Sequence, residues 1–254
     1  MIIEYHRPEK LGDALKLLKR KSPATVPLGG GTVLSAPSAE ERAVVDLQLL
    51  GLDAIKSKGK ALHIGATATL QSLLETDGIP AVLKQSLQLE CTRTLRGVAT
   101  VAGTLVSADG RSPFALTALA LDAQLQLEPE SKKMSYGDLL PLRGESLKGG
   151  LISEITLPTN VALSYQYAAR TPTDLPVLAL ALAAWSGGRT RLAVGGFGAA
   201  PHLALDGKDD SGLEEALENT LQEAADQWAS AAYRIEAGRA LLARARQALQ
   251  EEAS

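Results

Sequence analysis

Three consecutive glycines stand in the stretch LGGGTVL, residues 28–34, directly after the short apolar run TVPL at 25–28. The apolar run predicts a strand, and the glycines predict a sharp turn, because glycine adopts backbone conformations that other residues avoid. Closely spaced glycines also let backbone N–H groups approach an anion, and the hydroxyl of Thr32 adds a donor. The stretch predicts a strand that ends in a phosphate-binding loop, and a plain tight turn also accounts for it.

Two common phosphate-binding motifs are excluded for this stretch. No lysine follows the glycines as it does in a P-loop, and Leu34 stands where the Rossmann pattern GxGxxG has its last glycine. A second segment of small residues, RGVATVAGTL at 96–105, precedes an apolar helix predicted at 113–121. Because a pyrophosphate needs donors from more than one backbone segment, two such loops together favour a dinucleotide ligand, without indicating which one.

The rest of the chain mixes helical and extended patterns. A plausible linker, PTN at 158–160, precedes a last region in which SGGR at 186–189 predicts a hairpin turn. That region predicts a three-stranded antiparallel sheet with two helices packed on it. The predicted helices are 8–20, 70–74, 79–90, 113–121 and most of 212–250, and the predicted strands are 25–28, 43–47, 62–66, 124–128, 151–157, 163–169, 177–185 and 190–194.

The bulk composition is that of an ordinary globular protein. The 254 residues are 45% hydrophobic and 22% charged, with a formal net charge of -3. No apolar run approaches the roughly 20 residues that span a bilayer, so no membrane span is expected. A mixed-sign, slightly acidic chain gives no electrostatic case for nucleic acid as a partner. The first seven residues, MIIEYHR, lack the features of a signal peptide, and we expect a cytoplasmic protein.

Cysteine and histidine usage argues against a metal centre in this chain. The single cysteine, Cys91, can neither form an intramolecular disulfide nor supply the several thiolates of an iron–sulfur cluster. His6, His63 and His202 lie far apart in the sequence, without metal-ligand spacing. We therefore expect no metal ligands and no iron–sulfur cluster within this chain.

Several motifs, in the expected order, resemble the FAD-binding medium subunit of the carbon monoxide dehydrogenase and xanthine dehydrogenase family of molybdenum hydroxylases. The first glycine stretch is similar to the family's LAGGTDL loop, and residues 100–123 are similar to its ATIGGNLA...LALDA stretch. Further similar segments are IGATAT at 64–69, LRGVA at 95–99, Arg170 with Asp174, AVGGFG at 193–198 and SAAYR at 230–234. The resemblance covers nearly the whole chain.

The resemblance implies an α+β fold. A two-lobed FAD-binding domain, vanillyl-alcohol-oxidase-like or PCMH-type, would occupy residues 1–158, with lobes of about 1–55 and 56–158. A small C-terminal domain like that of the carbon monoxide dehydrogenase flavoprotein would occupy 159–254. The cofactor would be FAD, and the residues that the resemblance places in contact with it are Leu28, Gly29, Gly30, Gly31, Thr32, Val33, Leu34, Thr100, Val101, Ala102, Gly103, Thr104, Ser107 and Ile152.

The implied function is that of an electron-transfer flavoprotein subunit of an oxidoreductase, with no catalytic residue in this chain. A small iron–sulfur subunit with 2Fe-2S clusters would deliver electrons to the FAD, which would pass them to an external acceptor. A large molybdopterin subunit would oxidise the substrate. The resemblance also admits a homo-oligomer of the assembled complex, and it leaves the substrate and the acceptor open.

Some positions depart from the family pattern. Val33 replaces an aspartate, Ala102 a glycine, Thr104 an asparagine and Pro113 an aspartate, while Gln166 stands where the family has a lysine. If position 102 required a left-handed backbone, alanine would cost about 1–2 kcal/mol there. The departures motivate an alternative: a degenerate scaffold subunit that keeps the fold and docking surfaces but binds FAD weakly or not at all. A stand-alone FAD oxidase would need a substrate-activating base, and the sequence suggests none.

Overall fold

The computed structural model describes residues 1–252. The strands are β1 (Ile2–His6), β2 (Thr25–Leu28), β3 (Arg42–Asp46), β4 (Ile55–Lys58), β5 (Ala61–Gly65), β6 (Gln124–Glu128), β7 (Lys132–Ser135), β8 (Leu151–Pro158), β9 (Val161–Ala168), β10 (Leu178–Trp185), β11 (Thr190–Gly195) and β12 (His202–Gly207). The α-helices are α1 (Leu11–Leu18), α2 (Leu70–Leu74), α3 (Ala81–Glu90), α4 (Arg93–Arg96), α5 (Val101–Ser107), α6 (Pro113–Ala120), α7 (Tyr136–Leu139), α8 (Arg143–Ser146), α9 (Leu213–Leu221) and α10 (Ala231–Glu252). Across residues 1–252, no helix combines the length and apolar character needed to cross a bilayer.

The chain forms two compact units, each drawn from separate stretches of sequence. The first unit comprises residues 1–77, 91–107 and 124–157, and the second comprises 78–90, 108–123 and the chain from Pro158 onward. Both glycine-bearing segments, 28–34 and 96–105, belong to the first unit. The division into domains at 1–158 and 159–254 stays a prediction.

The first unit contains two sheets. Its three-stranded parallel sheet has the order β1-β3-β2, and the central strand β3 is buried from Ala43 to Val45 because apolar side chains cover both of its faces. Ala14 and Leu18 of α1 share a core cluster with Val45, so the amphipathic stripe of α1 covers this sheet. The second sheet has five strands in the order β4-β5-β8-β6-β7.

The second unit is built on a four-stranded antiparallel sheet with the order β12-β11-β10-β9. Side chains alternate between the two faces of a strand, and Leu178, Leu180 and Leu182 of β10 form one core with α9 and α10. Residues of α6 lie against β10 and β11, and Arg191 of β11 donates to the Leu119 carbonyl of α6. The sheet therefore carries helices on both faces.

Two details of the sequence-based fold need correction. The C-terminal sheet has four strands instead of three, because His202–Gly207 pairs with β11, a contact that only the folded chain creates. The second small-residue segment is a loop only at residues 97–100, since residues 101–107 form the helix α5. Its alanine, glycine and threonine residues suit close packing of a short helix as well as they suit a turn.

Candidate functional site

The first glycine segment leaves strand β2 at Leu28, which pairs in register with Asp46 of β3. Gly31 has a φ of 72°, in the left-handed region that favours glycine. The segment closes a turn through its carbonyl groups, because the Ser35 N–H donates to the Gly31 oxygen at 3.0 Å and the Ala36 N–H to the Val33 oxygen at 3.1 Å. The predicted turn after a strand is confirmed.

The N–H groups of this segment are the chemically notable feature. Among residues 1–252, no acceptor is found for the backbone N–H groups of residues 29–34. Residues 29–31 are partly accessible, and Thr32 and Val33 are exposed. A row of unpaired backbone N–H groups on an accessible segment suits an anion such as a phosphate group. We call residues 29–34 the donor loop.

The donor loop lies directly against the second segment. A β-carbon at position 30 would lie 1.6 Å from the Val98 carbonyl oxygen, and one at position 29 would lie 2.6 Å from Oγ1 of Thr100. No side chain fits at these approaches, so both positions require glycine for close contact between the segments. The structure therefore brings together the two glycine-bearing segments that the sequence singled out.

Thr100 organises this contact. Its hydroxyl accepts a hydrogen bond from the Gly103 N–H at 3.1 Å, and its carbonyl accepts from the Thr104 N–H at 2.9 Å and the Thr104 hydroxyl at 2.9 Å. A β-carbon on Gly103 would lie 2.7 Å from the same Oγ1. Thr100 thus caps α5 as a threonine does at a helix start, with its hydroxyl held between two glycines.

The first backbone donors of α5 are all used within the protein. The Val101 N–H donates to the Ala68 oxygen at 2.8 Å, and the Ala102 N–H to the Ala66 oxygen at 3.3 Å. Since Gly103 and Thr104 donate to Thr100, residues 101–104 offer no unpaired N–H group in this conformation. The second segment, residues 96–105, therefore supports the donor loop, and we call it the brace. Its expected role as a second set of backbone donors is not supported by these hydrogen bonds.

The departures at positions 102 and 104 are accommodated without strain. Ala102 is helical and does not occur among the residues with positive φ, so the condition under which alanine would be costly at this position is not met. The Thr104 hydroxyl donates to Thr100, and the Ser107 hydroxyl donates to the Gly103 oxygen at 2.8 Å. Gly103 and Ser107 are exposed, and Thr104 and Val106 are partly buried, so among the predicted FAD contacts on α5 the accessible ones are Gly103, Thr104 and Ser107.

Ile152 lies on β8, the strand that contacts the segment below α5 at Ala66. It follows Leu151 at the start of β8, and only 4% of its surface is exposed. The neighbouring Ser153 carbonyl accepts from the Ala66 N–H at 3.1 Å, so β8 supports the segment on which α5 rests. With so little exposed surface, Ile152 offers a ligand no more than the edge of an apolar side chain.

Asp46 is the carboxylate that pairs in register with Leu28, the residue before the donor loop. Its carboxylate is almost fully buried, accepts from the Gln48 N–H at 2.9 Å and from the Tyr5 hydroxyl, and lies 3.3 Å from Nε of Arg7. The hydrogen bond from Tyr5 raises the pKa of that phenol. Because Arg7 forms an ion pair with Asp46, the negative charge of this strand partner of Leu28 is compensated.

A carboxylate that the sequence did not single out lies at the start of α6 in the second unit. Both oxygens of Glu90 accept from the Ser112 hydroxyl, at 2.9 and 2.8 Å, and one accepts from the Phe114 N–H at 2.9 Å. Loss of solvation raises the pKa of Glu90 to about 7. Pro113, where the family has an aspartate, fits the first turn of α6 because proline needs no N–H acceptor there. Glu90 is the last residue of α3, and no local sequence pattern indicates its approach to Ser112.

Arg170 and Asp174, which resemble a family segment, do not form an ion pair within residues 1–252. Instead Nη2 of Arg170 donates to the Trp228 carbonyl at 3.0 Å. Arg234, in the segment SAAYR, is fully buried and pairs with Asp226 at 2.9 Å, so it is structural. Within the described range, no group of three or more potential metal ligands is found.

Comparison with known proteins is consistent with this framework. Residues 1–160 match the family described as "FAD binding domain in molybdopterin dehydrogenase". Over 127 residues the chain is 33% identical to the uncharacterized protein YgfM of Escherichia coli (strain K12), covering 49% of each sequence. It is 26% identical over 140 residues to the carbon monoxide dehydrogenase medium chain of Afipia carboxidovorans, covering 52% of this chain and 49% of the relative. The chain thus spans about half the length of the curated relatives that it matches.

A solved structure supports the fold over nearly the full length. A chain of the reconstituted carbon monoxide dehydrogenase from Oligotropha carboxidovorans superposes with a TM-score of 0.79, covering 98% of this chain and 97% of that one, at 22% identity. Identity at this level shows the fold alone. The predicted mixed α and β fold is confirmed by this likeness.

Proposed function

Because this chain belongs to the family of the FAD-binding domain in molybdopterin dehydrogenases, with FAD as the family's cofactor, we propose that it is the electron-transferring subunit of a molybdenum hydroxylase-type complex. In this proposal it accepts electrons from 2Fe-2S clusters of a small partner subunit and passes them to an external acceptor. A large molybdopterin subunit oxidises the substrate. The likeness to a carbon monoxide dehydrogenase medium chain supports this arrangement.

The observation that carries the proposal is the row of unpaired N–H groups on the donor loop. A pyrophosphate carries two negative charges, and backbone N–H groups directed at it stabilise those charges without any side chain. This explains how Val33 can replace an acidic residue, since the N–H of residue 33 is present whatever its side chain. The donor loop, together with Leu28 before it, is therefore the primary contact that we assign to the cofactor.

The brace has a different part in this proposal. Val98 and Thr100 fix the positions of Gly30 and Gly29, and α5 is fixed in turn by the carbonyls of Ala66 and Ala68. We propose that the second segment holds the donor loop in its anion-binding form and adds contacts only through its accessible surface, namely Gly103, Thr104 and Ser107. Buried residues support this surface from the protein side; they are Thr100, Val101, Ala102 and Ile152.

The redox chemistry belongs to the cofactor, since FAD when bound accepts and releases electrons and the protein positions it. The proposal assigns no general acid, general base or nucleophile to this chain. The single cysteine, Cys91, supports the placement of iron–sulfur clusters in a partner, because such clusters need several thiolates.

Purification of the affinity-tagged full-length chain from its source cells tests this function. We expect two further subunits to co-purify, together with molybdenum, iron and flavin, and we expect the flavin to be bleached when substrate or dithionite reduces the complex. Isolation of the chain alone, without molybdenum or iron, would contradict the three-component proposal. A flavin-free complex that contains both partners would instead support the scaffold alternative.

A further inference from the structure

A cleft of about 530 Å³ opens in the second unit between the end of β9 and helix α10. Its walls include Tyr167, Arg170 and Thr171 from the β9 side, and Ala237, Leu241 and Arg244 from α10. A volume of this size lies within the range of small-molecule sites. No residue of the donor loop lines the cleft.

Arg170 brings a positive charge to this cleft without a carboxylate partner. Its Nη2 donates to the Trp228 carbonyl at 3.0 Å, and its guanidinium carbon lies 5.4 Å from the centre of the Trp228 ring. Both contacts orient the guanidinium and leave its charge uncompensated. No acidic side chain pairs with Arg170 within residues 1–252.

Arg244 is the exception among three neighbouring arginines of α10. Arg239 pairs with Glu218 at 2.7 Å, and Arg246 pairs with Glu214. The side chain of Arg244, which lines the cleft, forms no hydrogen bond or ion pair within the described part of the chain. Of these three arginines, the one that lines the cleft is thus the one without an acidic partner among residues 1–252.

We propose that this cleft binds the phosphate group of a small organic molecule. Two guanidinium groups match the charge and the hydrogen-bonding geometry of a phosphate, which can accept several N–H donors at once. No aspartate or glutamate occurs among the described residues that line the cleft, so nothing there opposes an anion. Tyr167 and the apolar surface of Ala237 contact the organic part of the ligand.

Isothermal titration calorimetry with adenosine 5′-monophosphate tests the proposal on the full-length chain saturated with FAD, so that the donor loop cannot bind the probe. Wild type, Arg244→Gln and Arg239→Gln are compared. Arg239→Gln is the matched control, because Arg239 is an exposed arginine of the same helix outside the cleft. Adenosine without phosphate serves as the neutral probe.

We expect the wild type and Arg239→Gln to bind the nucleotide with equal affinity, and Arg244→Gln to bind it about tenfold more weakly. Adenosine should bind at least that much more weakly than the nucleotide. Equal affinity of Arg244→Gln and Arg239→Gln, or no heat of binding in the millimolar range for the wild type, would overturn the proposal. If the chain fails to take up FAD, any binding of the probe at the donor loop is the same in both variants. The difference in affinity between Arg244→Gln and Arg239→Gln then still reports on the cleft, so this test is independent of the proposed function.

Discussion

Gly30 and Val98 lie in such close contact that a β-carbon on Gly30 would be 1.6 Å from the Val98 carbonyl oxygen. This contact joins the donor loop to the brace, two segments that are far apart in the sequence. The backbone of Val98 cannot move freely, because the carbonyl of the adjacent Ala99 accepts a hydrogen bond from the Leu70 N–H at 2.9 Å. The position of the donor loop therefore depends on the absence of a side chain at residue 30.

Gly30→Ala should destabilise the protein and weaken FAD binding together. Overpacking lowers the free energy of unfolding by about 1–3 kcal/mol in general. Because the clash here is with backbone atoms, we expect Gly30→Ala to cost at least the upper value of that range. Urea unfolding and FAD titration measure the two effects. Gly12→Ala in α1 is the control, since nothing lies within 4 Å of the new methyl group and alanine favours a helix. If both variants unfold at the same urea concentration, the close contact is not present in solution.

Gly31→Ala should weaken FAD binding for a different reason. Gly31 has a φ of 72°, and the nearest atom to a β-carbon there is Oγ of Ser35 at 3.3 Å, so the cost is mainly conformational. A left-handed alanine costs about 1–2 kcal/mol, and asparagine tolerates this conformation better. We expect FAD affinity, measured by fluorescence titration, to be highest for the wild type, lower for Gly31→Asn and lowest for Gly31→Ala. An alanine variant that binds FAD as tightly as the wild type would show that the turn is not required.

Ala102→Gly should not improve FAD binding, although it restores the residue of the family pattern. Ala102 is helical, and its N–H is already bonded to Ala66, so glycine provides no new donor. Glycine inside a helix instead costs about 0.5–1 kcal/mol of stability. The measurement is the FAD dissociation constant of the variant beside that of the wild type. Tighter binding by about tenfold or more would mean that the methyl group of Ala102 obstructs the cofactor.

Glu90 should make the stability of the protein depend on pH. Loss of solvation raises its pKa from 4.5 to about 7, so the folded state binds a proton that the unfolded state has already released between these values. The free energy of unfolding therefore falls as the pH rises from about 4.5 to about 7. Urea unfolding across this range should show the fall in the wild type. Glu90→Gln should remove that part of the dependence while keeping an acceptor for Ser112, and an unchanged pH profile would exclude Glu90 as its source.

The local features of the site could be predicted from the sequence. Apolar residues followed by three glycines specify a strand and a turn, and both exist at residues 25–31. The Gly187-Gly188 pair likewise predicted the turn between β10 and β11. Each of these features depends on the backbone preferences of a few adjacent residues, which a sequence states directly.

What could not be predicted depends on contacts between distant segments. Residues 101–107 could have formed a loop or a helix, and the carbonyls of Ala66 and Ala68 favour the helix by accepting its first N–H groups. The same contacts decide that α5 braces the donor loop instead of offering donors of its own. Glu90 reaches Ser112 only because α3 packs on α6, and no local pattern indicates that approach.

The central claim, that the donor loop binds FAD in this chain, is tested most directly by one absorption spectrum. The purified full-length chain is mixed with FAD, desalted and recorded in the visible range. We predict flavin bands that correspond to about one FAD per chain, and weaker bands for Gly31→Ala treated in the same way. A spectrum of the folded wild-type chain without flavin bands would contradict the claim.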